Sequence, residues 1–277
     1  MAAPEFPSTV FGKSPSWGGF GSLRFLVIFG ASYADVGYEY AFCIPTRDEP
    51  LGVPFPGATY AEPGEPNWVG HLITNYAPGD APLLVYNYAK GGAQVHNVAN
   101  QVRVMYAAHI GAPERPEWAP WTSADTLFIT WVGINDSAWS CDHTANLEKL
   151  FEAQLTLYET GARNFLYVNI PPIDRSPAKG RRENYIAWNT ALKGAAERFA
   201  AAHTDATVMI YSSWDTFNAL LDDPEAHGFP VGDVRRAGGA IWYDFLHPTS
   251  KVHDFVARDM AAFLSAQPAY VRATSKS

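Results

Sequence analysis

Acyl transfer by a serine needs a hydroxyl nucleophile, a histidine and a carboxylate, and the chain has a candidate for each of them. Ser32 follows an apolar run and the short residues Gly30 and Ala31, whereas Asp244 and His247 lie three positions apart near the C-terminus. A serine hydroxyl becomes a nucleophile when a histidine accepts its proton and a carboxylate orients the imidazole. We therefore predict Ser32 as the nucleophile at a strand-to-helix turn, His247 as the general base and Asp244 as its partner. Taken singly, each has a plainer interpretation as a helix cap.

Two further positions have the character of oxyanion donors. Gly92 ends the segment Asn87-Tyr-Ala-Lys-Gly-Gly92, and Asn135 ends the segment Val132-Gly-Ile-Asn135. Both segments follow apolar runs, and ligands of open α/β sheets bind beyond the carboxyl ends of strands. We expect the backbone N–H groups of Ser32 and Gly92 and the side-chain amide of Asn135 to face a developing oxyanion. The alternative is a tight turn at Gly92 and a helix-starting turn at Asn135.

The elements that must position these residues follow from the hydrophobic pattern. Continuous apolar runs are typical of parallel strands buried on both faces, and five occur, at 23–29, 83–88, 126–132, 164–170 and 206–211. Apolar residues at helical spacing occur between or after them, most clearly at 147–158, 185–199 and 252–264. Alternating strands and helices predict one three-layer α/β/α sandwich around a five-stranded parallel sheet with right-handed crossovers.

The domain organisation is predicted from the same pattern. Residues 1–20 form a Pro/Gly/Ser-rich leader that we expect to be irregular, residues 21–268 form a single domain, and residues 269–277 form a tail. The Pro/Gly-rich stretch 44–66 is too long for a plain turn. Loops of this length are typical of lids or substrate walls.

Composition excludes several classes of partner. The 277 residues are 47% hydrophobic and carry a formal net charge of -8, with no cluster of basic residues that would bind nucleic acid. The longest apolar runs fall short of the roughly 20 residues that cross a bilayer. The N-terminus lacks an intact secretory signal, which leaves open a secreted protein with its signal removed or a cytoplasmic one. Cys43 and Cys141 allow one bridge or two thiols, the remaining histidines lack metal-ligand spacing, and the oligomeric state is open.

In order and spacing, the segments around Ser32, Gly92, Asn135 and His247 resemble the sequence blocks of the SGNH or GDSL hydrolases. The chain resembles in particular the fungal branch grouped as carbohydrate esterase family sixteen. The resemblance runs from Phe25 to Leu264 and includes Gly64-Glu-Pro-Asn-Trp68 and Asn169-Ile-Pro-Pro-Ile-Asp-Arg-Ser-Pro177. It implies a flavodoxin-like fold, an ester hydrolase that needs no cofactor or metal, and the roles assigned above.

One position departs from the family pattern. The first block of the family reads Gly-Asp-Ser, and here Ala31 stands in place of the Asp. In the family this Asp supports the loop around the nucleophile and is not the acid of the triad. The resemblance therefore implies a less preorganised loop, with lower activity or a changed acyl preference.

The expected function is hydrolysis of short-chain acyl esters, acetyl esters in particular, on small-molecule or oligosaccharide substrates through an acyl-serine intermediate. Trp68 and Trp139 flank the motifs, and we consider both as platforms on which a sugar ring stacks, with core packing as the alternative. A lipid or thioester acylhydrolase is a second hypothesis. A weakly active or non-catalytic ligand-binding protein on the same scaffold, relaxed at Ala31, is a third.

Overall fold

A six-stranded sheet runs through the centre of the molecule in the computed structural model, which describes residues 6–79 and 81–271. The strands are β1 (Thr9–Gly12), β2 (Phe25–Gly30), β3 (Leu84–Asn87), β4 (Thr126–Trp131), β5 (Asn164–Val168) and β6 (Thr207–Tyr211). Their order is β1-β6-β5-β4-β2-β3. Strands β2 to β6 are parallel, and β1 pairs with β6 in the antiparallel sense. The predicted fold class is confirmed.

The sheet differs from the predicted one by its sixth strand, because β1 lies in the leader that we expected to be irregular. All four residues of β1 are only half-buried, and the strand is interrupted by a register shift between Val10 and Gly12. A four-residue, partly solvated edge strand carries neither a long apolar run nor a clear alternation. Its pairing with β6, almost 200 residues later, decides its conformation.

Within the described residues, six α-helices surround the sheet: α1 (Trp68–His71), α2 (Val95–Asn100), α3 (Thr144–Glu159), α4 (Arg182–Ala202), α5 (Ser213–Asp222) and α6 (Ser250–Ser265). Every residue of β2, β4, β5 and β6 is buried, as expected for a sheet covered on both faces. Helices α1, α5 and α6 pack in one group, and α2, α3 and α4 pack in another. These groups are the two helical layers of the sandwich.

Three of these helices match the predicted patterns, and α1, α2 and α5 were not predicted. The first two continue as π-helical turns over Leu72–Tyr76 and Gln101–Tyr106. A π-turn has a wider hydrogen-bond spacing than an α-turn, so the apolar residues of such a segment lose the 3.6-residue period. Helix α5 has only ten residues, too few for a distinct pattern to separate it from the strand before it.

Two long irregular segments lie beside the carboxyl ends of the strands. Residues 31–67 connect β2 to α1 without a strand or helix, and residues 223–249 connect α5 to α6 with two short 3₁₀ turns. The first includes the predicted wall segment 44–66. Within the described ranges, no helix is long and apolar enough to cross a membrane, and Cys43 and Cys141 are free thiols.

A glycine just beyond β4 allows α4 to pack against the end of the sheet. Gly133 has φ +121°, and a Cβ at this position would collide with the indole ring of Trp188. Trp188 is fully buried on α4. Only glycine fits both the backbone conformation and the space, and the turn that follows leads directly to Asn135.

We expect Gly133→Ala to lower the free energy of unfolding by about 2–4 kcal/mol, because it adds a methyl group to a filled core at an unfavourable φ. Urea titration followed by tryptophan fluorescence measures the change. Gly232→Ala is the matched control, since a Cβ there meets no atom within 4 Å. Equal stability of the two variants would contradict this account of the turn.

Candidate active site

The turn that carries Ser32 is held at the end of β2. Gly30 has φ +153°, and a Cβ on it would collide with the backbone carbonyl of Trp131 at the end of β4. The side chain of Gln101 binds both backbone groups of Gly30: its Nε2 donates to the carbonyl at 2.9 Å, and its Oε1 accepts from the N–H at 3.0 Å. Glycine thus permits the close approach of two strands, and Gln101 fixes the chain where it leaves the sheet.

No helix follows Ser32, so the predicted strand-to-helix turn is corrected. The N–H groups of Ala34 and Asp35 donate to the carbonyl of Ala31 at 3.0 and 3.1 Å, which closes a single turn. The side-chain amide of Asn87 then binds the carbonyl of Ala34 at 2.6 Å. The next segment is irregular because the chain is held by such side-chain bonds instead of continuing a helical ladder. Ser32 itself is only 6% exposed.

Ser32, His247 and Asp244 form one chain of hydrogen bonds. The Oγ of Ser32 lies 2.9 Å from Nε2 of His247, and Nδ1 of His247 lies 2.7 Å from Oδ2 of Asp244. An ionised carboxylate at Nδ1 requires the proton on that nitrogen, which leaves Nε2 free to accept the proton of the serine. This is the geometry that a nucleophile and its general base require.

The carboxylate of Asp244 is held in place by backbone N–H groups two and three residues later. Its Oδ1 accepts the N–H groups of Leu246 and His247, each at 2.7 Å. Burial alone would raise the pKa of Asp244, but the hydrogen bonds from the backbone and ring of His247 and from Leu246 outweigh it and lower the pKa below its ordinary value. The carboxylate therefore stays ionised opposite the imidazole.

The segment that carries His247 is closed on itself before α6 begins. The carbonyl of His247 accepts the N–H of Tyr243 at 2.9 Å, and the buried Trp242 forms a bridge with Pro248. The hydroxyl of Tyr33, next to the nucleophile, donates to the carbonyl of Leu246 at 2.6 Å. This last bond joins the two halves of the site, which come from opposite ends of the chain.

The two predicted oxyanion donors adjoin each other beyond β3 and β4. Nδ2 of Asn135 donates one N–H to the carbonyl of Ala93 at 2.9 Å, which leaves its second N–H for another acceptor. Gly92, the residue before Ala93, has φ +74°, and a Cβ there would meet no atom within 4 Å. Glycine is therefore required by conformation and not by crowding. The neighbouring strands β3, β2 and β4 bring these residues and Ser32 to the same edge of the sheet.

Asp35 is a site residue that the motifs did not reveal. It is 7% exposed, and its two carboxylate oxygens accept the N–H groups of Gly37 and Gly91, each at 2.8 Å. Burial raises the pKa of Asp35 despite these hydrogen bonds. Its carboxylate joins the turn of Ser32 to the turn of Gly92. The spacing Ser32-x-x-Asp35 was the available signal, and the bond to Gly91 could not be read from it.

Tyr60, from the 44–66 segment, packs beside His247, the predicted general base. The rings of Tyr60 and His247 lie with centroids 5.0 Å apart, and a Cβ at Gly91 would collide with the Tyr60 hydroxyl. The segment is attached to α6, since the carboxylate of Glu62 accepts the N–H of Ser250 at 2.7 Å. The segment thus stands beside His247, and its role as a lid or substrate wall stays a prediction.

A cavity of about 470 Å³ opens beside Asn135 and Leu246, and Trp139 lines it with a side chain that is 92% exposed. Trp68, the other predicted platform, is fully buried, and its ring lies 5.9 Å from that of Trp131. The prediction for Trp68 is corrected: helix α1 turns this indole into the core, where no substrate can contact it. In the part of the chain that the structure describes, no three His, Cys, Asp or Glu residues cluster as metal ligands.

Comparisons with known proteins agree with this fold and identify the family. The model of the GDSL-like lipase/acylhydrolase family matches residues 26–260. The chain is 30% identical to an acetylesterase of Thermothelomyces thermophilus over 87% of its length and 88% of that protein. It is 25% identical to a thermolabile hemolysin of Vibrio parahaemolyticus over 69% of its length and 54% of that protein.

Solved structures share the fold at low sequence identity. A variant of an acetyl xylan esterase from Geobacillus stearothermophilus superimposes with a TM-score of 0.59 at 14% identity, covering 91% of this chain and 99% of that one. A lipolytic protein of the G-D-S-L family from Veillonella parvula gives 0.51 at 15% identity, covering 86% and 96%. The fold and these similarities define a carboxylic ester hydrolase of the three-layer α/β type. The chain belongs to the GDSL, or SGNH, hydrolase family.

We expect Asp35→Asn to lower kcat about tenfold, since an amide has one acceptor oxygen and frees the N–H of Gly37 or of Gly91 beside the oxyanion donors. Steady-state kinetics with p-nitrophenyl acetate measures this change. Asp48→Asn, an exposed carboxylate of the same segment, is the control. An unchanged kcat in Asp35→Asn would show that the link between the turns is dispensable.

The same variant has a predicted pH signature. Because the pKa of Asp35 is raised in the folded state, its contribution to stability is fully present below the unfolded value of about 3.9 and is lost as pH rises through the folded pKa. Asp35→Asn removes this dependence. The variant should therefore gain stability relative to wild type as the pH of urea titrations rises above 4, and a constant difference would contradict the assignment.

Proposed function

We propose that the protein hydrolyses short-chain acyl esters, acetyl esters above all, on carbohydrates through an acyl-serine intermediate. The observation that carries the proposal is the hydrogen-bonded chain from Ser32 through His247 to Asp244 at the carboxyl edge of the sheet. The 30% identity to an acetylesterase over most of both chains supports acetyl as the acyl group.

In the first half of the proposed reaction, Nε2 of His247 takes the proton of the Ser32 hydroxyl as Oγ attacks the ester carbonyl carbon. The C=O electron pair moves to the carbonyl oxygen, and the resulting oxyanion is stabilised by the backbone N–H groups of Ser32 and Gly92 and the second N–H of Asn135. When the oxyanion collapses, the bond to the alcohol oxygen breaks. His247 donates its proton to the alcohol, and the acyl group stays on Ser32.

In the second half, water replaces the alcohol. His247 takes a proton from the water as its oxygen attacks the acyl carbon, and the tetrahedral intermediate then releases the carboxylic acid and returns the proton to Ser32. Asp244 stabilises the imidazolium that forms twice in the cycle. Its lowered pKa keeps the charge that this requires. With the ester and one water molecule as reactants, both halves balance through the side chains of Ser32 and His247.

A carbohydrate alcohol is supported by exposed aromatic side chains near the site. Trp139 lines the cavity beside Asn135 and is 92% exposed, and Phe245, between Asp244 and the base, is 70% exposed. Large aromatic rings left in water bury apolar surface when a ligand stacks on them. The apolar faces of sugar rings suit such platforms.

A lipid acylhydrolase is the second candidate, supported by the match to the thermolabile hemolysin and by exposed apolar residues on the irregular segment 31–67. Phe42 is 89% exposed and Phe55 is 53% exposed. The cavity beside Asn135, however, is lined by Lys179 and Arg181, and such charges oppose the burial of a long acyl chain. The acetyl ester is therefore the better-supported substrate.

We expect Ser32→Ala to abolish hydrolysis of p-nitrophenyl acetate, since it removes the nucleophile while leaving the fold intact. Wild-type protein should also be labelled at Ser32 by a fluorophosphonate probe, detected by peptide mass spectrometry. Ser265→Ala, at an exposed position at the end of α6, should retain activity and labelling. Undiminished hydrolysis by Ser32→Ala would overturn the mechanism, and an unlabelled wild-type serine would favour a ligand-binding protein relaxed at Ala31.

We expect kcat/KM to fall at least about tenfold between p-nitrophenyl acetate and p-nitrophenyl octanoate, because Ser32 is only 6% exposed and Tyr60 packs beside its partner His247. Tyr60→Ala should reduce this discrimination by opening the wall. Tyr270→Ala, a partly exposed residue outside the site, should keep it. A preference for octanoate in the wild type would favour the lipid acylhydrolase.

A further inference from the structure

The cavity beside the candidate oxyanion donor has an electropositive lining. Lys179 and Arg181 both line it, together with Asn135 and Trp139, and no Asp or Glu is among the lining residues. The protein as a whole carries a formal charge of -8. The charged residues of the cavity lining are therefore opposite in charge to the molecule as a whole, and the lining adjoins the Ser32 site through Asn135 and Leu246.

The two cations of the cavity are not neutralised. Arg182, the next residue along, is paired with Asp174 at 3.2 Å. In contrast, the side chains of Lys179 and Arg181 make no ion pair and no hydrogen bond with any residue in 6–79 or 81–271. Unpaired Lys and Arg on a surface are ordinary, but two that share one cavity without an acid are positioned to bind an anion.

The backbone of this segment is arranged to keep the two side chains at the cavity. Lys179 has φ +53°, a conformation that non-glycine residues seldom adopt. Gly180 follows, and a Cβ there would collide with the hydroxyl of Tyr185. Arg181 is the N-cap of the 21-residue helix α4 and makes no side-chain cap, so the positive end of this helix adds to the same field.

We infer that this cavity selects ester substrates that carry a carboxylate close to the scissile bond, as an O-acetylated uronic acid does. The inference rests on the proposed function, because it concerns the substrate of the Ser32 site. Arg181 and Lys179 bind the carboxylate, and Trp139 contacts the ring. A cavity of about 470 Å³ accommodates a monosaccharide with its carboxylate.

The test compares two mono-O-acetylated sugars, a methyl glucuronoside and the corresponding methyl glucoside, by acetate release. We expect wild-type kcat/KM to favour the glucuronoside about tenfold at low salt, as charge-assisted hydrogen bonds predict. Added salt should reduce this ratio. In the double variant Lys179→Met/Arg181→Met, the ratio should approach one and lose its salt dependence. Each enzyme serves as its own reference, so a general loss of activity does not affect the comparison.

Control variants and a second pair of esters complete the experiment. The conservative variant Lys179→Arg should retain the preference, and Lys149→Met, an exposed lysine on α3 outside the cavity, should behave as wild type. Monoethyl succinate against ethyl butyrate places the carboxylate on the acyl side instead. A charge preference confined to that pair would place the carboxylate on the acyl group and overturn the uronic acid as the substrate.

Failure of this inference is distinct from failure of the proposed function. Wild-type protein that hydrolyses p-nitrophenyl acetate but shows no preference for either charged ester overturns the inference alone. A preference that survives in the double variant also overturns it, because the anion would then be bound elsewhere. Absence of any ester hydrolysis would instead overturn the proposed function.

Discussion

The pair of hydrogen bonds between the Gln101 side chain and the backbone of Gly30 is the interaction on which the site depends. It fixes the chain at Gly30, where β2 leaves the sheet. At this residue a Cβ would collide with the carbonyl of Trp131. The amide of Gln101 bonds to the N–H and the carbonyl of Gly30 as a neighbouring strand would. The buried backbone groups of Gly30 therefore keep hydrogen-bond partners where β2 ends. Ser32, two residues later, inherits this fixed geometry.

The geometry of the candidate site is then completed across nearly the whole chain. Ser32 and His247 are 215 positions apart, and their 2.9 Å contact requires the closed segment before α6 to stand beside the first turn. The hydrogen bond from the Tyr33 hydroxyl to the Leu246 carbonyl holds the two segments next to each other. Because both segments are irregular, side-chain bonds and not a helix or strand ladder maintain their positions. Such a site is sensitive to single substitutions in residues that never contact the substrate.

The sequence predicted what local patterns encode and missed what tertiary packing decides. The five parallel strands and the segments carrying Ser32, Gly92 and Asn135 were found because buried strands leave long apolar runs, and site residues of α/β sheets follow them. His247 was found by its spacing from Asp244 ahead of the last helix. Strand β1 and the π-turns of α1 and α2 lack such a signal. The position of Trp68 in the core and of Tyr60 over His247 depends on how an irregular segment of more than thirty residues folds back, which no periodicity records.

The fold opposes the ionisation of Asp35, yet this residue joins two turns of the candidate site. Burial raises its pKa, so the fold opposes the ionised form that two N–H groups nevertheless bind. A residue selected only for stability would avoid this cost, since a buried charge without an ion pair is expensive. The carboxylate accepts from both turns at once, and joining them holds Ser32 in place relative to the proposed oxyanion donors.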